Sequence, residues 1–208
     1  MLGIMRKDAP VYLLMAAFAV LMPLIDAFKV GLSAHSVVTT ALWTFILVIP
    51  AVQCELVEHL TRGYRLLRVL PLTTREIVWA KHLWPVTIVS LHVAYAGLLF
   101  AVLAPAEQVR SLSRTYLVLN GNLALLIAAV MLFLVFRFGL SRWSKGALIA
   151  IPVVGMIVLG ESVIRLGLLE RIAAFGSWTV LVVVTALSLG LYALLAMASA
   201  RAFEQREV

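Results

Sequence analysis

The chain has 208 residues, 63% of them hydrophobic and 13% charged, with a formal net charge of +7. A soluble domain carries about 25% charged residues, so a water-solvated fold of this length is excluded and lipid is the expected solvent. The basic excess is not a nucleic-acid footprint, because Lys and Arg fall in short clusters between apolar runs. That pattern sets orientation in a bilayer and suits anionic lipid head groups; membrane lipids are the expected surroundings and no nucleic acid is expected as a partner.

Six apolar stretches are long enough, or nearly so, to span. A hydrocarbon core of about 30 Å takes about 20 helical residues, and spans are predicted at about 9–28, 37–54, 83–103, 116–136, 147–160 and 178–198. The basic pair Arg6-Lys7 before the first run resembles a signal-peptide start. The run is of spanning length and no A-x-A-like cleavage site follows, so a retained helix is expected. Pro23 lies inside this span, and residues 31–36 form a polar turn. The second span carries Thr39, Thr40 and Thr44 beside Trp43.

Residues 55–81, ELVEHLTRGYRLLRVLPLTTREIVWAK, differ in kind from their flanks. Leu56, Leu60, Tyr64 and Leu67 recur at helical spacing, which predicts an amphipathic continuation of the second span. Pro71 stops it, because Leu70 before the proline is pushed out of helical dihedrals. Thr73-x-x-Glu76 is a capping box, and Leu72 with Ile77 fits a hydrophobic staple. A helix is therefore predicted to restart at Thr73 or Thr74 and run into the third span, with Lys81 snorkelling at the membrane edge.

His92 falls near the middle of the third span, with Tyr95 on the same face. An interhelical hydrogen bond is favoured for His92 over a place on a substrate path. Residues 104–115 read as a polar connector, and Asn120 and Asn122 open the fourth span on different faces. The fifth span is short and carries Pro152, Gly155, Met156 and Gly160. Residues 161–177 mix charge with leucine, which predicts short re-entrant helices dipping into the outer face before span six. Residues 201–207 are a charged tail.

Orientation follows from the basic clusters. Arg6 and Lys7, the five of residues 55–81, then Arg137, Arg142 and Lys145, then Arg201 and Arg206 share one side; Lys29, Arg110, Arg114, Arg165 and Arg171 share the other. The basic-rich side is cytosolic, which places both termini and residues 55–81 in the cytosol. The fold class is thus an all-α membrane protein with six transmembrane helices.

Chemistry-bearing motifs are sparse. No G-x-x-x-x-G-K-[ST] phosphate loop occurs, and neither H-E-x-x-H nor a Cys/His cluster is present. The single cysteine, Cys54, excludes an intrachain disulfide. Ser177 follows Gly176, the one feature suggesting an intramembrane serine protease, but no partner histidine stands on the last span. No catalytic, cofactor or metal residues are assigned.

Residues 58–81, EHLTRGYRLLRVLPLTTREIVWAK, resemble the first cytosolic segment of ABC-2 type transporter permeases. Gly63, Tyr64, Leu70, Pro71, Thr73, Thr74, Arg75, Ile77, Val78 and Lys81 carry the likeness, and Arg6-Lys7-Asp8 before the first span is similar to the small-permease branch. The resemblance implies a single transmembrane domain over residues 1–208, without an ATPase site of its own, in a bacterial cytoplasmic membrane. It implies two ATPase subunits, which bind ATP and Mg, and a second permease, identical or related. The segment between spans two and three becomes the coupling helix, with Glu58, Arg62, Gly63, Tyr64, Leu67 and Arg68 against the ATPase and Pro71 and Thr73 fixing the turn. A substrate path along spans two and five implies roles for Thr40, Trp43, Thr44, Pro152 and Met156, joined by His92 from the residue reading. The implied activity is export of an amphipathic drug, peptide or lipid-like molecule. The alternatives are a haem-exporter-type permease for cytochrome maturation, a non-transporting assembly or sensor subunit, and a small membrane transferase, for which no paired acidic motif is found.

Overall fold

The computed structural model describes residues 2–60, 73–104, 106–138 and 177–206. Their regular structure is helical: α1 Leu2–Val30, α2 Ala34–Leu60, α3 Thr74–Leu103, α4 Glu107–Phe138 and α5 Trp178–Arg206. Four of these, α1, α3, α4 and α5, are long and apolar enough to cross a membrane, and α2 contributes a shorter apolar stretch, His35–Ile49. Five of the predicted spans fall within these helices. The span at 147–160 and residues 161–176 lie outside the described residues.

Local chemistry sets the helix ends. Gly31 follows α1 at φ 72°, the left-handed conformation that glycine adopts without a Cβ penalty. Ser33 then caps α2: its Oγ accepts from the Ser36 N–H at 3.4 Å, while its own N–H donates to Ser36 Oγ at 2.9 Å. The polar turn is therefore three residues, shorter than the 31–36 predicted. At α3 the capping box forms as the sequence indicates, with Thr73 as N-cap.

Two polar stretches turn out to be helix. The predicted connector 104–115 contracts to the residues around Ala104 and Ala106, whose carbonyls accept from Arg110. Glu107 stands in the first turn of α4, where a negative charge suits the helix dipole. Arg110 reaches back to Glu107 Oε2 at 3.6 Å and donates from Nε to Ala104 O at 2.8 Å. Polarity there marks a helix start rather than a loop. Likewise the charged tail continues α5 to Arg206. Ser177 is the α5 cap, its Oγ accepting from the Val180 N–H at 3.3 Å and its carbonyl from the Leu181 N–H at 3.2 Å.

Contacts at several levels give the helix directions. Tyr12 stacks on Trp84 at 4.2 Å and Ala19 meets His92, so α1 runs parallel to α3. α2 and α4 oppose α3: Thr40 meets His92 while Val48 packs with Val89, and Gly121 abuts Val93 while Phe136 packs with Val78. Asn122 meets Thr185 and Arg137 meets Gln205, so α5 is parallel to α4 and antiparallel to α3. The chain consequently leaves α4 at one end of the bundle and begins α5 at the other. The first residues of α1 and the last of α2, α4 and α5 share the end at which α3 starts.

α3 packs against all four other helices, and α4 against α2, α3 and α5. The α3–α4 approach depends on Gly121: a Cβ there would lie 2.7 Å from Val93 Cγ2. Small residues permit such backbone proximity in membranes, where helix packing replaces the hydrophobic drive. Leu13, Leu14, Leu21 and Phe28 of α1 and Val182, Leu187 and Leu194 of α5 are exposed, as lipid-facing side chains should be.

Candidate functional site

Two regions carry the sequence-derived candidates: the end where α2 stops and α3 starts, and the polar interior. At the first, α2 continues without interruption to Leu60, so Glu58 lies in its last turn, as the apolar stripe predicts. Arg62, Gly63, Tyr64, Leu67, Arg68 and Pro71 lie outside the described residues. Thr73 Oγ accepts from the Glu76 N–H at 3.3 Å and donates to Glu76 Oε2 at 3.0 Å, while the Thr73 N–H donates to the same Oε2 at 2.8 Å. The backbone and side-chain hydrogen bonds from Thr73 hold the Glu76 carboxyl below its ordinary range. Glu76 lies in the first turn of α3, outside the predicted span 83–103.

This capped end is tied to the other helices. Arg75 Nε lies 3.5 Å from Glu204 Oε1 of α5, and Arg137 Nη1 of α4 donates to Gln205 Oε1 at 3.2 Å. Beneath them Val78, Leu132, Phe136, Ala200 and Phe203 form one apolar cluster. Lys81 departs from the snorkelling expectation. It is 1% exposed and engaged inside the protein, because it shares a face with buried Ile77, Val78 and His82.

The interior brings three of the path candidates together. His92 is fully buried, with Nδ1 2.9 Å from Ala19 O and Nε2 3.0 Å from Thr40 O. Ala19 O would ordinarily accept from the residue four positions on, but that residue is Pro23, inside α1 and without an N–H. A buried carbonyl left unpaired is costly, and the Nδ1–H tautomer of His92 satisfies it. Nε2 stands within hydrogen-bond distance of Thr40 O, a backbone carbonyl of α2. The interhelical bond favoured from sequence is present between α3 and α1, and the carbonyl of Thr40 in α2 lies against the other side of the same ring.

Thr40 and Thr44 are fully buried one helical turn apart. Neither hydroxyl has a hydrogen-bond partner among the described residues, whereas Thr39 bonds back to the carbonyls of His35 and Ser36. Trp43 is only partly buried. Pro152 and Met156 lie outside the described residues.

A second polar junction was not visible in the sequence. The Tyr192 hydroxyl of α5 donates to His82 O of α3 at 2.6 Å, and His82 Nε2 stands 3.5 Å from Ser199 Oγ. Pro85 removes the helical bond to the Lys81 carbonyl just beside it, so the α5 groups brace α3 where its own ladder is weakest. Proline spacing was the one available signal: in each case a histidine or tyrosine from another helix meets a carbonyl near the break. Asn122 donates to Thr185 Oγ1 at 3.0 Å, while Asn120 bonds within α4 to Tyr116 O. Among the described residues no cluster of His, Cys, Asp or Glu is suited to a metal ion.

A family model described as ABC-2 family transporter protein matches residues 3–204. The chain belongs to the ABC-2 transporter family. For this ABC-2 protein no curated protein and no solved structure gives a match. The family match spans α1 to α5, so the capped α3 and the His92 junction are features of an ABC-2 membrane protein.

Proposed function

We propose that this ABC-2 protein is the permease subunit of an ATP-driven exporter in a bacterial cytoplasmic membrane. The observation that carries the reading is the family match over residues 3–204. It is supported by the arrangement at one end of the bundle, where α2 ends at Leu60 and the capped α3 begins at Thr74. Two permeases, identical or related, would pair, and two ATPase subunits would bind ATP and Mg and close below them. The linking segment would seat in the ATPase through Glu58, Arg62, Gly63, Tyr64, Leu67 and Arg68, with Pro71 and Thr73 holding its turn.

The parallel course of α4 and α5 supports a fifth crossing between them, and with it six spans with both termini on the cytosolic side. The basic-rich end supports that orientation. The proposed cargo is amphipathic: a drug, peptide or lipid-like molecule. Thr40, Thr44 and His92 would form the closed polar core of the path, with Trp43, Pro152 and Met156 beside it. Among the described residues neither hydroxyl has a partner, so a rearrangement that lets Thr40 and Thr44 bond a polar group of the cargo would be favoured on opening.

The test is co-purification from gentle detergent in the presence of ATP, wild type against the double variant Arg62→Glu, Gly63→Trp. Wild type should bring down a near-stoichiometric ATPase and the variant should not. No ATPase with wild type would overturn the reading.

A further inference from the structure

At the end opposite the capped start of α3, a cavity of about 470 Å³ opens between α3, α4 and α5. We propose that it binds one membrane phospholipid with an anionic head group. The inference rests on the chain spanning a membrane and is independent of the ATPase partner.

The walls are polarised along the helix axes. Arg110 and Arg114 lie in the first three turns of α4, and Trp178 begins α5 at the same level. The Arg114 guanidinium lies over the Trp178 ring, 4.9 Å from its centroid, which fixes the cation by its attraction to the ring face. Arg110 is held by its bonds to Ala104 O and Glu107. Among the described residues Arg110, Arg114 and Glu107 line the cavity, so its cationic side chains outnumber its anionic one, a lining that suits a phosphodiester. Tryptophan at such a level is the interfacial anchor of membrane proteins.

Deeper in, the lining changes to Ala94, Gly97 and Ala101 on one face of α3. From residue 101 to residue 94 the helix rises about 10 Å, a smooth apolar wall leading toward the bundle middle. At Gly97 an added Cβ would meet nothing within 4 Å among the described residues. Cationic groups at the helix-end level with an apolar channel below them repeat the polarity order of one leaflet. A free anion would use only the upper part; a lipid uses both, its head group and the upper part of a chain lying in the cavity of about 470 Å³ and the rest in the bilayer.

Native mass spectrometry of the full chain in detergent tests this, with dioleoyl phosphatidylglycerol and dioleoyl phosphatidylcholine titrated in parallel. Wild type should retain one phosphatidylglycerol about tenfold more strongly than phosphatidylcholine, the scale of one charge-assisted hydrogen bond. Arg114→Gln should abolish that preference. Gly97→Leu fills the apolar part with both arginines in place and should weaken both lipids. Inorganic phosphate alone should not displace the phosphatidylglycerol; displacement would mean the site takes a free anion, and the lipid proposal falls. Equal retention of the two lipids by wild type, or unchanged retention in both variants, also overturns it. Brominated phosphatidylglycerol offers a readout without folding risk: it should quench the Trp178 share of emission, taken as wild type minus Trp178→Phe, more than brominated phosphatidylcholine does. Equal quenching counts against the site.

Discussion

The His92 junction makes a prediction that couples two residues far apart in sequence. His92→Leu removes the donor to Ala19 O, which Pro23 has already deprived of its helical partner. An unsatisfied buried carbonyl costs about 1–3 kcal/mol, and hydrogen bonds measured within membranes lie near the low end, about 0.6–1.7 kcal/mol. A destabilisation of about 1–2 kcal/mol is expected for His92→Leu on this basis. Pro23→Ala restores an N–H at the position four residues after Ala19, so α1 can satisfy the carbonyl itself. In the Pro23→Ala background His92→Leu should therefore cost about 1 kcal/mol less, a coupling in the range seen for groups sharing one partner. The assay is a double-mutant cycle by reversible unfolding in mixed micelles. Additivity within about 0.3–0.5 kcal/mol, the value for independent sites, would refute the argument that the two residues compete for one carbonyl.

Other outcomes follow from the cap and from the glycines. Thr73→Ala removes the N-cap of α3 and should cost about 1 kcal/mol, read as lower unfolding stability and faster amide exchange in the first turn. The Glu76 carboxyl is held below its ordinary value, so its contribution is complete above that value and is lost as pH falls through the lowered one; exchange in the same turn should accelerate on acidification, and Glu76→Gln should flatten that response. Gly121→Leu drives a side chain into Val93 and should destabilise by about 1–3 kcal/mol. Gly97→Ala, in the open part of α3, should stabilise by roughly 0.5–1 kcal/mol through helix propensity. Reversal of that order in thermal unfolding would contradict the packing described for α3 and α4.

Much of the helical framework was legible because membrane helices announce themselves by length and polarity. The restart at Thr73 was legible for a different reason: capping is local, so a threonine and a glutamate three apart suffice to write it. Residues 104–115 misled because polar composition does not separate a loop from a helix end that leaves the membrane. Lys81 misled for a related reason: its charge favours the interface, but its phase on α3 turns it inward. The junctions were the least legible. That His92 would seek a bond was readable; that the acceptor would be Ala19, exposed by Pro23, depends on α1 and α3 running parallel, which no local pattern encodes.

The brace between Tyr192 and His82 also has a mechanical meaning. α3 is one rod of 30 residues, about 45 Å long at 1.5 Å per residue, and α5 grips it near His82. That point divides the rod unevenly, with about 12 Å toward the cap and about 32 Å toward Leu103. If the crossing acts as a fulcrum, a sideways displacement of about 1 Å at the cap swings the far end by between about 2 and 3 Å. Pro85, just beyond the fulcrum, then sets how much of that swing is transmitted and how much is absorbed as bending.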